Sequence, residues 1–103
     1  GFLQIEPNSK KLKSYVQYRI GKMFCYGLGT EQDYQKAFEW FERSAKQKNK
    51  FAQFSLANLY YYGSGIEKDL SQAFLWYQRA SSQGQPYAAY SIAQMYRYGE
   101  VCH

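Results

Sequence analysis

The sequence has little of what catalytic and metal sites need, since it holds one histidine and two cysteines. A single histidine excludes a His-based catalytic set, and His103 with Cys102 offers too few ligands for a zinc site. Two cysteines are too few for a disulfide framework, and we do not expect Cys25 and Cys102 to be joined. We therefore expect this segment to be non-enzymatic and to carry no metal or cofactor.

Long apolar runs are also missing. The charge-free stretches at residues 51–66 and 80–96 are interrupted by polar residues, glycine or proline, whereas a membrane span needs about 20 mainly apolar residues. Residues 1–13 lack the apolar run of a signal peptide. The chain begins with Gly1 rather than methionine, so we expect a segment of a longer protein. For that segment we favour the cytoplasm and expect no membrane partner.

What the sequence does contain is a repeat with a period of 36 residues. Residues 15–50 align with residues 51–86 without a gap, and glycines, an aspartate and a tryptophan recur in phase. Residues 87–103 begin a third copy. We therefore expect a single domain in which residues 1–14 form a lead-in, followed by two full units and one partial unit.

Apolar residues recur with helical spacing twice in each unit. In the first unit Val16, Ile20 and Met23 share one face of a first helix, and the small Gly21 admits a neighbouring helix. A Tyr-Gly-x-Gly turn follows, and an aspartate can cap a second helix. Trp76, at the edge of the second helix's apolar stripe, is expected to be largely buried. No segment alternates with a period of two, so we predict five helices and no strands.

Helix–turn–helix units of this size bury their apolar faces only when they stack, which predicts an all-α fold, an α/α solenoid. The run Tyr-Gly-Ser-Gly-Ile-Glu-Lys-Asp at residues 62–69 and the run Gln-Ala-Phe-Leu-Trp-Tyr-Gln-Arg-Ala at residues 72–80 resemble the Sel1-like repeat. This repeat is a relative of the tetratricopeptide repeat, and the resemblance covers residues 15–99. It implies a right-handed superhelix that acts as an adaptor for other proteins.

The resemblance also implies a binding face, because one side of the first helix of each tetratricopeptide unit lines a concave surface. In this chain that side is rich in tyrosine, a residue frequent at binding hot spots. Its amide side chains are expected to hold the backbone of an extended peptide. The alternative interpretation is that the aromatic residues mainly form the core. The predicted peptide-binding face consists of Tyr15, Lys22, Tyr26, Phe51, Asn58, Tyr61, Tyr62, Tyr87, Gln94, Arg97 and Tyr98.

Positive charge is concentrated in the first half of the chain. Residues 1–50 hold ten Lys or Arg and five Asp or Glu, whereas residues 51–103 hold three of each. Such a cluster indicates either cations that suit the C-termini of helices or a patch for phosphate or an acidic partner. No nucleic-acid motif accompanies it. The predicted basic patch consists of Lys10, Lys11, Lys13, Arg43, Lys46, Lys48 and Lys50.

Two functional hypotheses follow. The first is a scaffold module that binds a protein or peptide through the aromatic face. The alternative is an accessory repeat region of a larger bacterial DNA-processing protein, such as a mobilisation relaxase of a conjugative element. Its basic half would then help it dock on DNA or on a partner in the transfer complex. Self-association is a further expectation, since the partial third unit leaves one side of its first helix without a second helix.

Overall fold

The computed structural model describes residues 10–101, and five α-helices account for most of that stretch. No strand occurs within these residues, so the predicted helix count and fold class are confirmed. The lead-in at residues 1–9 and the end at residues 102–103 lie outside the described residues. The helices are α1 Lys10–Tyr26, α2 Tyr34–Lys46, α3 Lys50–Tyr62, α4 Leu70–Ser82 and α5 Pro86–Arg97.

Side-chain caps begin four of these helices. The carboxylate of Asp33 accepts a hydrogen bond from the Lys36 amide at 3.0 Å, and Asp69 caps α4 in the same way. Both caps were predicted. Asn49 and Gln85 cap α3 and α5 through their amide oxygens, which sequence analysis did not anticipate. The repeat therefore fixes where helices start through local hydrogen bonds.

The helices stack in the order of the chain. Each packs against the next, from α1 on α2 to α4 on α5, and the assembly extends 51 Å in its longest dimension. Alanines at the contacts, such as Ala37, Ala52 and Ala73, are fully buried and let the helix axes approach. Gly21 does the same for α1 and α2, because an added Cβ would lie 2.6 Å from the ring of Phe41. This packing is the predicted solenoid.

The prediction that Val16 and Met23 belong to a buried face is wrong for the first unit. Their side chains are 47% and 42% exposed, whereas the equivalent Ala52 and Leu59 of the second unit are 0% and 4% exposed. The cause is the neighbouring helix. The second unit packs against α2, but no helix within residues 10–101 precedes α1.

The opposite end of the solenoid shows the same effect. Ala93 occupies the small-residue position of Gly21 and Ala57 but is exposed. Tyr96 is 38% exposed, whereas the equivalent Tyr60 is partly buried. No helix follows α5 within the described residues. The self-association expected of this side stays a prediction.

Candidate functional site

The first helices of the units line two adjoining clefts on one face of the solenoid. One lies between α1 and α3 and has a volume of about 540 Å³. The other lies between α3, α4 and α5 and has a volume of about 370 Å³. Both are lined by Phe54 and Asn58, so we describe them together as the aromatic groove. Nine of the eleven residues of the predicted binding face line this groove: Lys22, Tyr26, Phe51, Asn58, Tyr61, Tyr62, Tyr87, Gln94 and Tyr98.

The other two predicted residues lie elsewhere. Tyr15 lines a separate cleft with Lys11, Lys48 and Lys50, and its hydroxyl accepts a hydrogen bond from Arg19 at 2.8 Å. Arg97 lines neither cleft of the groove. Its guanidinium lies over the ring of Tyr98, 5.9 Å from the ring centroid, which is within the range of a cation–π contact.

Two residues that line the second cleft were not predicted from the sequence. Tyr77 of α4 and Ser91 of α5 both line it, and neither belongs to the predicted binding face. The Tyr77 side chain is 2% exposed, and its hydroxyl donates a hydrogen bond to the Oδ1 atom of Asn58. The available signal was the presence of Tyr77 where the first unit has Phe41, since a hydroxyl added to a core position needs a partner.

Burial governs the protonation of this tyrosine. Desolvation raises the pKa of Tyr77 far above its ordinary value, and a hydrogen bond with Ser91 opposes this only in part. The hydroxyl therefore remains protonated and keeps donating to Asn58. This contact holds the Asn58 amide in one orientation, with Oδ1 engaged and Nδ2 making no hydrogen bond within residues 10–101.

Polar residues occupy the same repeat position as Asn58 in the other units. Lys22 of α1 has its ammonium group 5.6 Å from the ring centroid of Tyr18. Gln94 of α5 donates from Nε2 to the hydroxyl of Tyr90. The groove therefore carries a row of three donors, one from each unit, between exposed tyrosine rings.

The predicted basic patch is only partly assembled. Lys46 and Lys48 line a cleft of about 440 Å³ with Arg79, and Lys48 also lines the adjoining cleft with Lys11 and Lys50. We call these five residues the basic edge. Arg79 was not predicted to belong to the basic patch, although it occupies the same repeat position as Arg43, which was.

The remaining predicted cations do not join this cluster. Lys10, Lys13 and Arg43 line neither of the two clefts. Arg43 lies over the ring of Trp40, 4.5 Å from its centroid, and Arg79 has the same relation to Trp76 at 4.6 Å. Lys46 also pairs with Glu42 on its own helix, at 3.7 Å.

The described residues offer no metal centre and no membrane-spanning helix. Residues 10–101 contain no group of three or more His, Cys, Asp or Glu side chains placed to hold a metal ion. None of the five helices is both long enough and apolar enough to cross a membrane. Cys25 is a buried free thiol at the end of α1, and burial raises its pKa.

The repeat of the sequence and the stacked helices agree with comparisons with known proteins. Residues 14–49, 50–85 and 86–101 each match the Sel1 repeat. The chain belongs to the Sel1 repeat family. Sel1 repeats build helical scaffolds for protein–protein interaction, and the fold is generally not an enzymatic one.

Two bacterial structures with this fold are similar to the chain. The Sel1 repeat protein from Oxalobacter formigenes is 30% identical with a TM-score of 0.83, over 92% of this chain and 39% of that protein. The c5321 protein, a protective antigen of uropathogenic Escherichia coli with an SLR fold, is 36% identical with a TM-score of 0.77. That match covers 82% of this chain and 18% of the antigen. The chain therefore spans less than half the length of either protein. No curated protein matches it.

Proposed function

We propose that this Sel1 repeat segment is a binding scaffold whose aromatic groove holds an extended peptide segment of a partner protein. The observation that carries the proposal is the orientation of Asn58 at the junction of the two clefts. Tyr77 holds its amide oxygen from below, and the Nδ2 donor makes no hydrogen bond within the described residues. A backbone carbonyl of a peptide in the groove is the natural acceptor for such a donor.

The rings around Asn58 supply the contact area that a peptide needs. Tyr26, Tyr62 and Tyr98 occupy equivalent positions at the ends of the first helices, and each side chain is more than 60% exposed. Exposed tyrosine presents a large, rigid surface with a polar tip, which suits a peptide that carries both apolar and polar groups. The spacing follows the repeat, so the groove presents similar contacts at regular intervals along an extended chain.

A displayed library of random nine-residue peptides tests this function. Peptides selected by the protein are expected to bind with dissociation constants in the micromolar range and to lose about tenfold in affinity on Asn58→Asp. This substitution keeps an acceptor for the Tyr77 hydroxyl but replaces the free donor with an acceptor. Gln78→Glu makes the same chemical change on the exposed surface of α4 and is expected to leave binding unchanged.

Two results would contradict the proposal. The first is a library that yields no peptide with saturable binding. The second is a set of peptides whose affinity responds equally to Asn58→Asp and Gln78→Glu, which would place the contact outside the groove.

A second candidate function is the docking of duplex DNA on the basic edge. The supporting observation is the convergence of Lys46, Lys48 and Arg79 on one cleft, although Lys46 and Arg79 also lie in the last turns of their helices, where cations suit the dipole. Fluorescence anisotropy with duplex DNA at several salt concentrations tests it. We expect micromolar or weaker binding that falls linearly in log salt.

The controls for this experiment come from the same chain. Charge reversal at Lys46 and Lys48 is expected to abolish binding, whereas reversal at Lys36 and Lys68, which line neither basic cleft, is expected to weaken it slightly. Equal losses for the two pairs would show a general effect of net charge rather than a docking edge.

A further inference from the structure

A carboxylate contacts one of the tyrosines at the α5 end of the aromatic groove. Glu100 lies in the turn after α5, and its two carboxylate oxygens are 2.9 and 3.0 Å from the hydroxyl of Tyr61, which donates to them. The ring of Tyr61 packs edge-on against Tyr62, with a centroid distance of 4.9 Å. Tyr98 lines the same cleft. We call these four residues the phenol–carboxylate cluster.

The negative charge of this cluster has no counterion in the described chain. Within residues 10–101 the only ion pair joins Lys46 to Glu42, so no cation of the described residues forms an ion pair with Glu100. The carboxylate affects the neighbouring phenol: the hydrogen bond to Glu100, together with burial, raises the pKa of Tyr61. The same carboxylate contributes to the raised pKa of Tyr77 below it. An added positive charge would therefore be favourable here.

The rings at this end also suit a cation. The face of an aromatic ring carries negative electrostatic potential and attracts ammonium and guanidinium groups. Tyr98 already attracts one, since the guanidinium of Arg97 lies 5.9 Å from its ring centroid without forming an ion pair with Glu100. The other cleft of the groove differs in two ways. It contains Lys22 at the repeat position of Gln94, and within the described residues none of the tyrosines that line it donates a hydrogen bond to a carboxylate, as Tyr61 does to Glu100.

We propose that the phenol–carboxylate cluster is a pocket for the side chain of a lysine or arginine in the bound peptide. The alkyl stem would pack against the rings of Tyr62 and Tyr98, and the charged head would pair with Glu100. The cleft lined by Tyr61, Tyr62 and Tyr98 has a volume of about 370 Å³, which is large enough for the stem of such a side chain. Glu100 does not line this cleft, but it contacts the hydroxyl of Tyr61, which does. This inference rests on the proposed peptide-binding function and adds the chemistry that selects the ligand.

Titration with n-butylguanidinium, followed by two-dimensional NMR, tests the pocket without a peptide. The probe is expected to cause saturable shifts at the amides of Tyr61, Tyr62 and Tyr98. N-butylurea has nearly the same shape but no charge, and it is expected to bind several-fold more weakly. Glu100→Gln is expected to weaken butylguanidinium binding by about three- to tenfold. Tyr61→Phe keeps the ring but releases the carboxylate, and we expect a smaller loss.

Glu39→Gln is the matched control, because it removes the same charge from the exposed surface of α2 and is expected to change nothing. Circular dichroism verifies that each variant is folded. Equal affinity of Glu100→Gln and the parent chain, or equal binding of butylurea and butylguanidinium, would overturn the pocket.

The peptide library separates this inference from the function on which it rests. Selected peptides are expected to carry Lys or Arg at one fixed position, and the preference is expected to disappear on Glu100→Gln. Selected peptides that show no preference for Lys or Arg would disprove the pocket but would still support peptide binding in the groove. If the library yields no binders but butylguanidinium binds saturably, the peptide-binding function is disproved and the cation-binding pocket is retained.

Discussion

Gly65 lies directly against Tyr34 at the start of α2. A Cβ atom added to Gly65 would stand 2.5 Å from the Cβ of Tyr34 and 2.9 Å from its carbonyl carbon. The equivalent Gly29 has the same backbone conformation, with φ of +76° against +74°, but no atom lies within 4 Å of its added Cβ. The second unit thus uses its glycine to pack against the first unit, whereas Gly29 serves only the turn.

This difference predicts unequal costs for one substitution. Gly29→Ala introduces backbone strain at a positive φ, which costs about 1–2 kcal/mol. Gly65→Ala adds a clash with backbone atoms, for which we expect a further 1–3 kcal/mol or so, in the range of overpacking. Urea unfolding of the two variants measures the free energies of unfolding. Equal losses would mean that the contact between the units relaxes freely.

Lys48 occupies a conformation that its equivalent in the next unit achieves with glycine. Its φ is 71°, and Gly84 at the same repeat position has a φ of 87°. We expect Lys48→Gly to stabilise the fold by about 0.5–1 kcal/mol, because glycine removes most of the left-handed strain. Gly84→Ala is the reverse test and is expected to destabilise by about 1 kcal/mol, since its added Cβ meets no atom and only strain acts.

The thermal or urea midpoints of these two variants should move in opposite directions. A loss of stability for Lys48→Gly would instead indicate that the lysine side chain contributes more through its contacts than its backbone strain costs.

The two repeat tryptophans differ in burial. Trp76 is 7% exposed, as the sequence analysis predicted, and lines a cleft with Ala45 and Lys46 of the preceding unit, whereas Trp40 is half-buried. Trp76→Ala is expected to cost about 3–5 kcal/mol, which approaches the whole stability of a small domain. Trp40→Ala should cost clearly less. An unchanged melting temperature for Trp76→Ala would disprove this role in packing.

The tyrosines predict a loss of stability in alkaline solution. Burial raises the pKa of Tyr18, Tyr60 and Tyr77 above the ordinary value of about 10. Because the folded pKa values are the higher ones, their stabilising contribution is complete below pH of about 10 and is lost as the pH rises through the folded values. For the nearly inaccessible Tyr77 we expect the free energy of unfolding to fall by about 1 kcal/mol for each pH unit above about 10.

Urea midpoints measured from about pH 8 to about pH 11 would show this slope. Tyr77→Phe, which restores the residue type of Phe41, is expected to flatten it. Tyr87→Phe at an exposed ring is the control. An unchanged slope for Tyr77→Phe would assign the alkaline transition to other groups.

The sequence alone determined the period, the five helices and the predicted aspartate caps. These features depend on interactions within a few residues, such as the hydrogen bond from the Lys36 amide to Asp33, and the repeat shows each of them more than once. Most of the groove was predictable too, because residues such as Asn58 and Gln94 share one face of equivalent helices, and the resemblance indicated which face to choose.

Only the tertiary structure decided which copy of each repeat position is buried and which side chains meet. Gly65 packs where Gly29 does not, and Ala52 is covered where Val16 is not, because burial depends on the neighbouring unit. The contact between Tyr61 and Glu100 joins residues 39 positions apart, and Tyr77 meets Asn58 across two helices. The periodic pattern specifies the residues of each unit. Contacts between units depend on how neighbouring units stack, and the repeat pattern alone does not contain that information.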